Sequence, residues 1–300
     1  MKLSSVYLPL LLCAVLFTSA CRTVRVEGPA LPSTTPAHKL QQVKKNFTPK
    51  KLSTNELPPV LGGLVQSDSW IIYQDKKQEE FKGHVSYEND AYVFQADYAL
   101  SDRARSTFQA KGNVFLRQQQ PDGSFYEAEA HQAYYDYKKQ KGNLTWDGTT
   151  RVLLRQQDEK GQLAIARARR VTFDLNQRIY VLQGDVHIQR PSLRGTQTIT
   201  AQKATFKQLQ DYIHLEGNAT VTDEQRTLQA NTIIYDGQNN SSQAYGDRPV
   251  LSGSSPQGTF AIIADKVQSD GTGSLITLDG KVQGWVVSPQ INESKVNKKF

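Results

Sequence analysis

The chain reads as an all-β protein, an antiparallel meander of roughly fourteen to sixteen strands joined by short turns. Three observations predict this. Apolar side chains alternate with mostly polar ones along Tyr180-Val-Leu-Gln-Gly-Asp-Val-His-Ile188, the mark of a strand with one buried and one wet face. That pattern returns about every thirty to thirty-six residues, around a glycine. No stretch after the N-terminal segment has helical periodicity.

The repeated strand comes first in the argument because it recurs. Its copies are Phe81-Lys-Gly83-His-Val85-Ser-Tyr87, then Phe108-Gln-Ala-Lys-Gly112-Asn-Val114-Phe-Leu116. A looser third runs from Leu144 through Gly148 to Val152-Leu-Leu154, with two residues inserted. The stretch at Gly184 is the fourth, and Ile213-His-Leu215-Glu-Gly217-Asn-Ala219-Thr-Val221 the fifth. Gly246-Asp-Arg-Pro-Val250 is a weak sixth, and Ile276-Thr-Leu278-Asp-Gly280-Lys-Val282 closes the series. Glycine inside a strand weakens it and is kept where backbones bend or approach closely. Its return in successive copies predicts a common line of curvature, along which the sheet folds over itself.

After each copy comes a turn, such as Glu88-Asn-Asp90, Pro121-Asp-Gly123 or Asp158-Glu-Lys-Gly161. A second segment then reads Ala, two residues, a small or branched apolar residue, one residue, and usually an aromatic. Ala130-His-Gln-Ala133-Tyr-Tyr135, Ala168-Arg-Arg-Val171-Thr-Phe173, Ala201-Gln-Lys-Ala204-Thr-Phe206 and Ala230-Asn-Thr-Ile233-Ile-Tyr235 are examples. A spacing of three puts the two small residues on opposite strand faces. A bulge or a sheet corner absorbs that slip.

Before the repeats lies an export signal over residues 1–20. Lys2 supplies the positive n-region, and Val6 to Phe17 is an apolar run too short to span a membrane. Leu16-Phe-Thr-Ser-Ala-Cys21 resembles a bacterial lipobox, although leucine is commoner at the place of Thr18. That resemblance makes Cys21 the lipid anchor of the mature chain. Thr18 and Ala20 also satisfy an ordinary signal peptidase, which would leave Cys21 a spare thiol. Cys13 falls in the removed part, so the mature chain keeps one cysteine and no internal disulfide. Arg22 stands where an aspartate would signal inner-membrane retention. The expected location is the periplasm, tethered to one of the two membranes. Residues 22–66, with Pro29, Pro32, Pro36, Pro49, Pro58 and Pro59, read as a disordered tether. Residues 67–288 form one folded domain, and 289–300 a disordered basic tail.

Lys and Arg total 36 against 29 Asp and Glu, a formal charge of +7. The basic residues are dispersed, without the dense stripe of a nucleic-acid binder, and fit solvated strand faces. The five histidines, His38, His84, His131, His187 and His214, are spread singly. No metal-ligand spacing, nucleophile elbow or phosphate-cradling loop is present, so no enzyme, metal site or cofactor is expected.

The Gly-X-Val/Ala strands, with Ala96-Asp-Tyr-Ala99 and Ala264-Asp-Lys-Val267, resemble the OstA-like (LptA/LptC-like) family of periplasmic lipopolysaccharide-transport proteins. The resemblance covers roughly Trp70 to Val287. It implies an open β-jellyroll, or β-taco, whose apolar interior holds acyl chains of lipopolysaccharide or a related lipid. It further implies that members join end to end by strand addition into a bridge across the periplasm. A lipobox and a longer chain set this sequence apart from the small members.

The residues allow the same mechanism. One long apolar face must leave water. If the sheet halves press together, its side chains form a dry core. If they splay, the same side chains line a groove in which each buried methylene contributes about 0.8 kcal/mol. The candidates are Phe81, Val85, Val114, Leu116, Val152, Leu154, Leu182, Val186, Ile188, Ile213, Leu215, Val221, Leu278 and Val282. An open meander also leaves two unpaired edges, which invite strand addition. Trp70, Ile71, Ile72 and Tyr73 form one candidate docking edge, and Trp285, Val286 and Val287 the other, unless tether or tail covers them. A surface-anchored structural β-repeat lipoprotein, or a carbohydrate binder stacking sugars on Trp70, Trp146 and Trp285, is the alternative.

Overall fold

The structure, a computed structural model, describes residues 63–148, 150–192, 195–255, 258–270 and 275–287. Cys21, the signal segment, nearly all of the expected tether and the basic tail fall outside the described residues. Strands make up almost everything else. The first are β1 (Leu64–Gln66), β2 (Ser69–Tyr73), β3 (Gln78–Glu88), β4 (Tyr92–Asp102), β5 (Thr107–Gln119) and β6 (Phe125–Asp136). Four half-length strands follow, β7 (Lys141–Thr145), β8 (Val152–Gln157), β9 (Leu163–Ala168) and β10 (Arg170–Asp174). Four long ones come next: β11 (Ile179–Ser192), β12 (Gly195–Lys207), β13 (Tyr212–Thr222) and β14 (Arg226–Asp236). The chain ends in β15 (Ser241–Tyr245), β16 (Val250–Ser255), β17 (Gly258–Ile263), β18 (Lys266–Asp270), β19 (Ile276–Asp279) and β20 (Gln283–Val287).

All pairings are antiparallel, and they sort into two half-sheets sharing the long strands. One half runs β2-β3-β4-β5-β6-β7-β10-β11-β12-β13-β14-β15-β18-β19. The other runs β1-β3-β4-β5-β6-β8-β9-β11-β12-β13-β14-β16-β17-β20. The expected meander is therefore present: each half has fourteen rows among the described residues. More strand segments exist than the sequence predicts because several crossings break in two where they pass from one half to the other.

The glycines mark that passage. Gly184 has φ of 78° and its neighbour Asp185 has φ of 49°, and the β11–β12 register jumps between Gln183 and Val186. Two consecutive left-handed residues form a bulge that turns the strand, and glycine carries the first without steric cost. A Cβ on Gly184 would lie 2.9 Å from the Arg169 side chain, whose Nε and Nη2 donate to the Asp185 carboxylate at 2.9 and 2.7 Å. The same pair of positive φ values recurs at Gly83-His84, Gly112-Asn113, Gly217-Asn218 and Gly280-Lys281. Opposite Gly112, Gly184, Gly217 and Gly280 sits the residue that follows the first alanine of the second segment, as with Asp97 beside Gly112 and Gln202 beside Gly217, while Asp68, after Ser67, takes that place at Gly83. The three-residue slip in Ala96-Asp-Tyr-Ala99 is thus the partner of the glycine bulge, and the register breaks between Gln95 and Tyr98. Stacked bulges make a spine about which the two halves face each other.

One boundary differs from expectation. β1 lies inside the stretch assigned to the tether. Three residues are too few to show a period, and only the pairing of Val65 with Tyr87 reveals the strand.

Candidate lipid cleft and sheet edges

Because the bulges keep register, inward-facing residues form unbroken rows across the sheet. Next to the spine in the first half, Trp70-Phe81-Ala99-Ala110-Ala133-Leu144-Val171-Leu182-Ala204-Leu215-Ile233-Ala244-Val267-Leu278 are paired neighbour to neighbour. In the facing half the corresponding row includes Tyr87-Phe94-Leu116-Ala128-Leu154-Ala166-Ile188-Ile199-Val221-Leu228-Leu251-Ile262. Alanines opposite larger side chains let the halves interdigitate.

The interior is not uniform along these rows. From β3 to β11 it is closed. Phe81, Val85, Val114, Leu116, Val152, Leu154, Leu182, Val186 and Ile188 are all buried, Leu182 with 0% of its surface exposed. Tyr135 and Phe173 stack at 6.1 Å, and Phe94 meets Phe108 edge-on at 5.5 Å, filling the space between the halves. The outermost inward row here is polar. Tyr92 accepts from Gln118 Nε2 at 3.1 Å, Gln156 is buried two strands away, and Arg190 Nε donates to Gln197 at 2.8 Å. Burial pulls the Arg190 pKa down from its ordinary value, while Tyr235 and Asp211 act the other way.

From β13 onward burial becomes uneven, with Ala219, Ile233, Ala244, Leu251 and Val267 still buried. Leu215 is still buried, but Ile213, Val221 and Leu278 are only half-buried. Between the final strands lies a cleft of about 350 Å³ lined by Arg226, Leu251, Gly258, Thr259, Phe260, Ile262, Ile276, Leu278 and Val286. Of the candidate lining residues, Leu278 reaches this cleft and the buried ones belong to the closed core. Val282 is a correction: it holds the place of Val85 and Val186 in the repeat, yet it is 50% exposed. It sits between β19 and β20 on the last row, where no further strand covers it.

Phe260, Ile262, Leu251 and Arg226 were missed as lining residues. They lie on strands around the weak repeat Gly246-Asp-Arg-Pro, where Asp247 and Arg248 also have positive φ and the glycine signal is blurred. Phe260-Ala-Ile-Ile263 is apolar throughout, so no alternation marks which of its side chains face the cleft.

Both edges are where the period placed them. Among the described residues β1 and β2 pair only with β3, β19 only with β18, and β20 only with β17. At the first edge Trp70 and Ile72 are 53% and 57% exposed, and Trp70 leans on Phe81 at 5.1 Å. Ile71 and Tyr73 face the other way, with the Tyr73 hydroxyl donating to Glu80 at 2.9 Å. At the second edge Trp285 and Val286 are 59% and 67% exposed, and Val287 is exposed too. Trp146 is half-buried at the spine, so the three tryptophans form no common platform. Basic residues are spread over the outer faces, as in the ladder Arg117–Glu127–Arg155–Glu129. Among the described residues no group of histidines, cysteines and acids is arranged to hold a metal ion, and no helix is long and apolar enough to cross a membrane.

Comparison with known proteins bears on this architecture. Residues 193–241, spanning β12 to β14 and the start of β15, match the family model described as LptA/(LptD N-terminal domain) LPS transport protein. Among solved structures, LptH of Pseudomonas aeruginosa, titled the LptA-homologous periplasmic component of the conserved lipopolysaccharide transport device, is 15% identical. The alignment covers 40% of this chain and 80% of that one, with a TM-score of 0.32. No curated protein sequence matches the chain. The matched segment holds three long strands, β12 to β14, of a repeat that continues in one register through both half-sheets, and over those residues the chain is similar to that lipopolysaccharide-transport family.

Proposed function

We propose that this chain is a non-enzymatic periplasmic bridge component of lipopolysaccharide transport to the outer membrane. It holds acyl chains in the cleft at its C-terminal end and joins neighbouring jellyrolls through its two open edges. One observation carries the reading: among the described residues the β-sheet ends at both sides in strands paired on one side only and bearing exposed aromatic and aliphatic side chains, and the cleft opens beside the second of them. Unpaired backbone donors and acceptors on such edges are satisfied by a strand from a neighbouring jellyroll. The match of residues 193–241 to a lipopolysaccharide-transport family supports the same reading.

In this reading Trp70 to Tyr73 and Trp285 to Val287 are the partner contacts, and a lipidated Cys21 holds the protein at a membrane. Photo-crosslinking in cells from positions 72 and 287 tests the docking. Crosslinks to other jellyroll proteins are expected from both, and crosslinks confined to the chain itself would overturn bridging. Depletion should make lipopolysaccharide accumulate at the inner membrane. Mass spectrometry of the purified protein should find lipopolysaccharide on it, and labelled-lipid incorporation should disappear in Cys21→Ser.

A further inference from the structure

Basic residues that lie far apart in the sequence meet along one side of the fold. The first half-sheet ends in the turns 74–77, 103–106, 137–140 and 175–178. These turns are stitched to one another: Arg103 N donates to Lys77 O at 2.9 Å, Tyr137 N to Ser106 O at 2.8 Å and Leu175 N to Gln140 O at 2.9 Å. Strand-end acids point in and turn bases point out. Asp102, Asp136 and Asp174 are buried, each accepting a backbone N–H of its own turn. Lys76, Lys77, Arg103, Arg105, Lys138 and Lys139 are exposed, and Arg178 ends the line. Asp75 is the one exposed acid among these turns.

The turns that end the second half-sheet over the same crossings have the opposite sign. They carry Asp90, Asp122, Asp158 and Glu159, with Lys160 the one base. Among the described residues no ion pair joins the two lines; Arg103 pairs with Glu79, Arg105 with Asp102 at 3.9 Å and Lys139 with Asp136 at 3.2 Å, all within the first half-sheet. Both lines lie opposite the glycine spine, separated by about the 10 Å of packed sheets. In a meander, turns alternate between ends, so each acidic turn is one strand, about 4.8 Å, out of step with the basic turns beside it.

Such a face is complementary to itself. A two-fold axis parallel to the lines sets basic on acidic twice and drops each acidic turn between two basic ones, an isologous contact. A two-fold across the lines would set like charges together. We propose that two copies of this chain pair in parallel through this face. The contact ends near β11, because further on the turns carry Asp211 on one side and Asp223 and Glu224 on the other, and both lines are acidic. It leaves the cleft and both sheet edges free, and so stands apart from the bridging reading. A face about 30 Å long and little wider than the ~10 Å between sheets is smaller than the ~800 Å² per partner of a standard interface, which makes the pair transient and salt-sensitive.

The test is sedimentation velocity of the full chain at about 20 and about 500 mM salt. A dimer is expected at low salt, with a dissociation constant about tenfold or more higher at high salt. Lys138→Glu with Lys139→Glu, and separately Asp158→Lys with Glu159→Lys, should each give a monomer, since each sets like charges together at both contacts. Mixed, the two variants should pair again, because every contact is then opposite in sign. Unchanged melting temperatures check that both fold. Carbodiimide crosslinks between isotopically distinct copies should join 138 or 139 to 158 or 159. A monomer at low salt, or variants that stay apart when mixed, would overturn the proposal. So would association that persists at high salt, which would belong to the apolar edges. Binding to phosphatidylglycerol vesicles without a dimer, lost in the lysine variant, would overturn it in favour of a membrane contact.

Discussion

The two ends of one repeat series do different things with the same pattern. From β3 to β11, inward residues are sealed between the half-sheets, and a polar row of Tyr92, Gln118, Gln156 and Arg190 closes the rim. From β13 to β20, equivalent rows carry Ile213, Val221 and Leu278 half in water, and the rim holds Arg226, Phe260 and Val286. The difference lies in what fills the gap between the halves. Stacked aromatics such as Tyr135 and Phe173 occupy it in the first region. Opposite the later strands the aromatic positions become Ser242 and Ser269, paired in the row of Tyr235 and Ile276. Small side chains there leave the gap open. One fold therefore closes into a core where the row is bulky and leaves an open cleft where it is not.

Truncation should separate the regions most strongly. Leu182→Ala, with no exposed surface to begin with, is expected to cost about 2–5 kcal/mol in denaturant unfolding. Leu278→Ala in the cleft should cost about 1 kcal/mol or less, since partial burial gains less from water exclusion. Equal costs would show that the second region closes in solution.

Next comes the spine. Gly184→Ala forces a side chain onto φ of 78° and against Arg169, a loss of about 1–3 kcal/mol. Gly280→Ala imposes the same backbone conformation at φ of 73°, but on the last crossing, where only local structure depends on it. Hydrogen exchange should then quicken in β19 and β20 alone. Exchange spreading back to β11 would mean that the halves unfold as one unit.

A third test puts charge in the cleft. Leu278→Asp should abolish binding of a dodecyl-chain probe while the melting temperature falls by only a few degrees, about what 1 kcal/mol produces in a domain of this size. Global unfolding of this variant would place Leu278 in the core.

The smallest effect is a pH dependence in the closed region. Burial alone would raise the Asp174 pKa, but the backbone amides of Gln177 and Asn176 and the Lys141 ammonium at 2.9 Å outweigh it and hold the group below its ordinary value. A depressed folded pKa contributes stability fully above the unfolded value near ~4, and that contribution is lost as pH falls through the lower folded value. Asp174→Asn should flatten the acid limb of the stability curve below pH ~4. An unchanged limb would refute the assignment.

Much of the fold was legible because it depends on period. Alternation around Gly83, Gly112, Gly184, Gly217 and Gly280 marks the crossings, and the Ala-X-X-small segments mark the opposing bulge, so row number and both edges follow. The cleft was not legible to the same degree. Whether two inward faces touch depends on side chains that meet across the halves, such as Phe94 against Phe108. It depends also on rings folded over glycines of neighbouring strands, such as Phe173 over Gly142 or Phe260 over Gly253, and no local pattern records either. Leu182 and Leu278 look alike in their local pattern, and only the facing half-sheet tells core from cleft. β1 escaped notice because three residues carry no period.

The bulge spine has a further consequence for length. Each crossing turns at its own Gly-X pair against its own neighbour, and adjacent rows lie about 4.8 Å apart. A duplicated pair of crossings therefore inserts like a stair tread, lengthening the span by about 10 Å while leaving cross-section and both end strands unchanged. Such a chain works as an adjustable ruler, its reach set by the number of treads and its identity by the two ends.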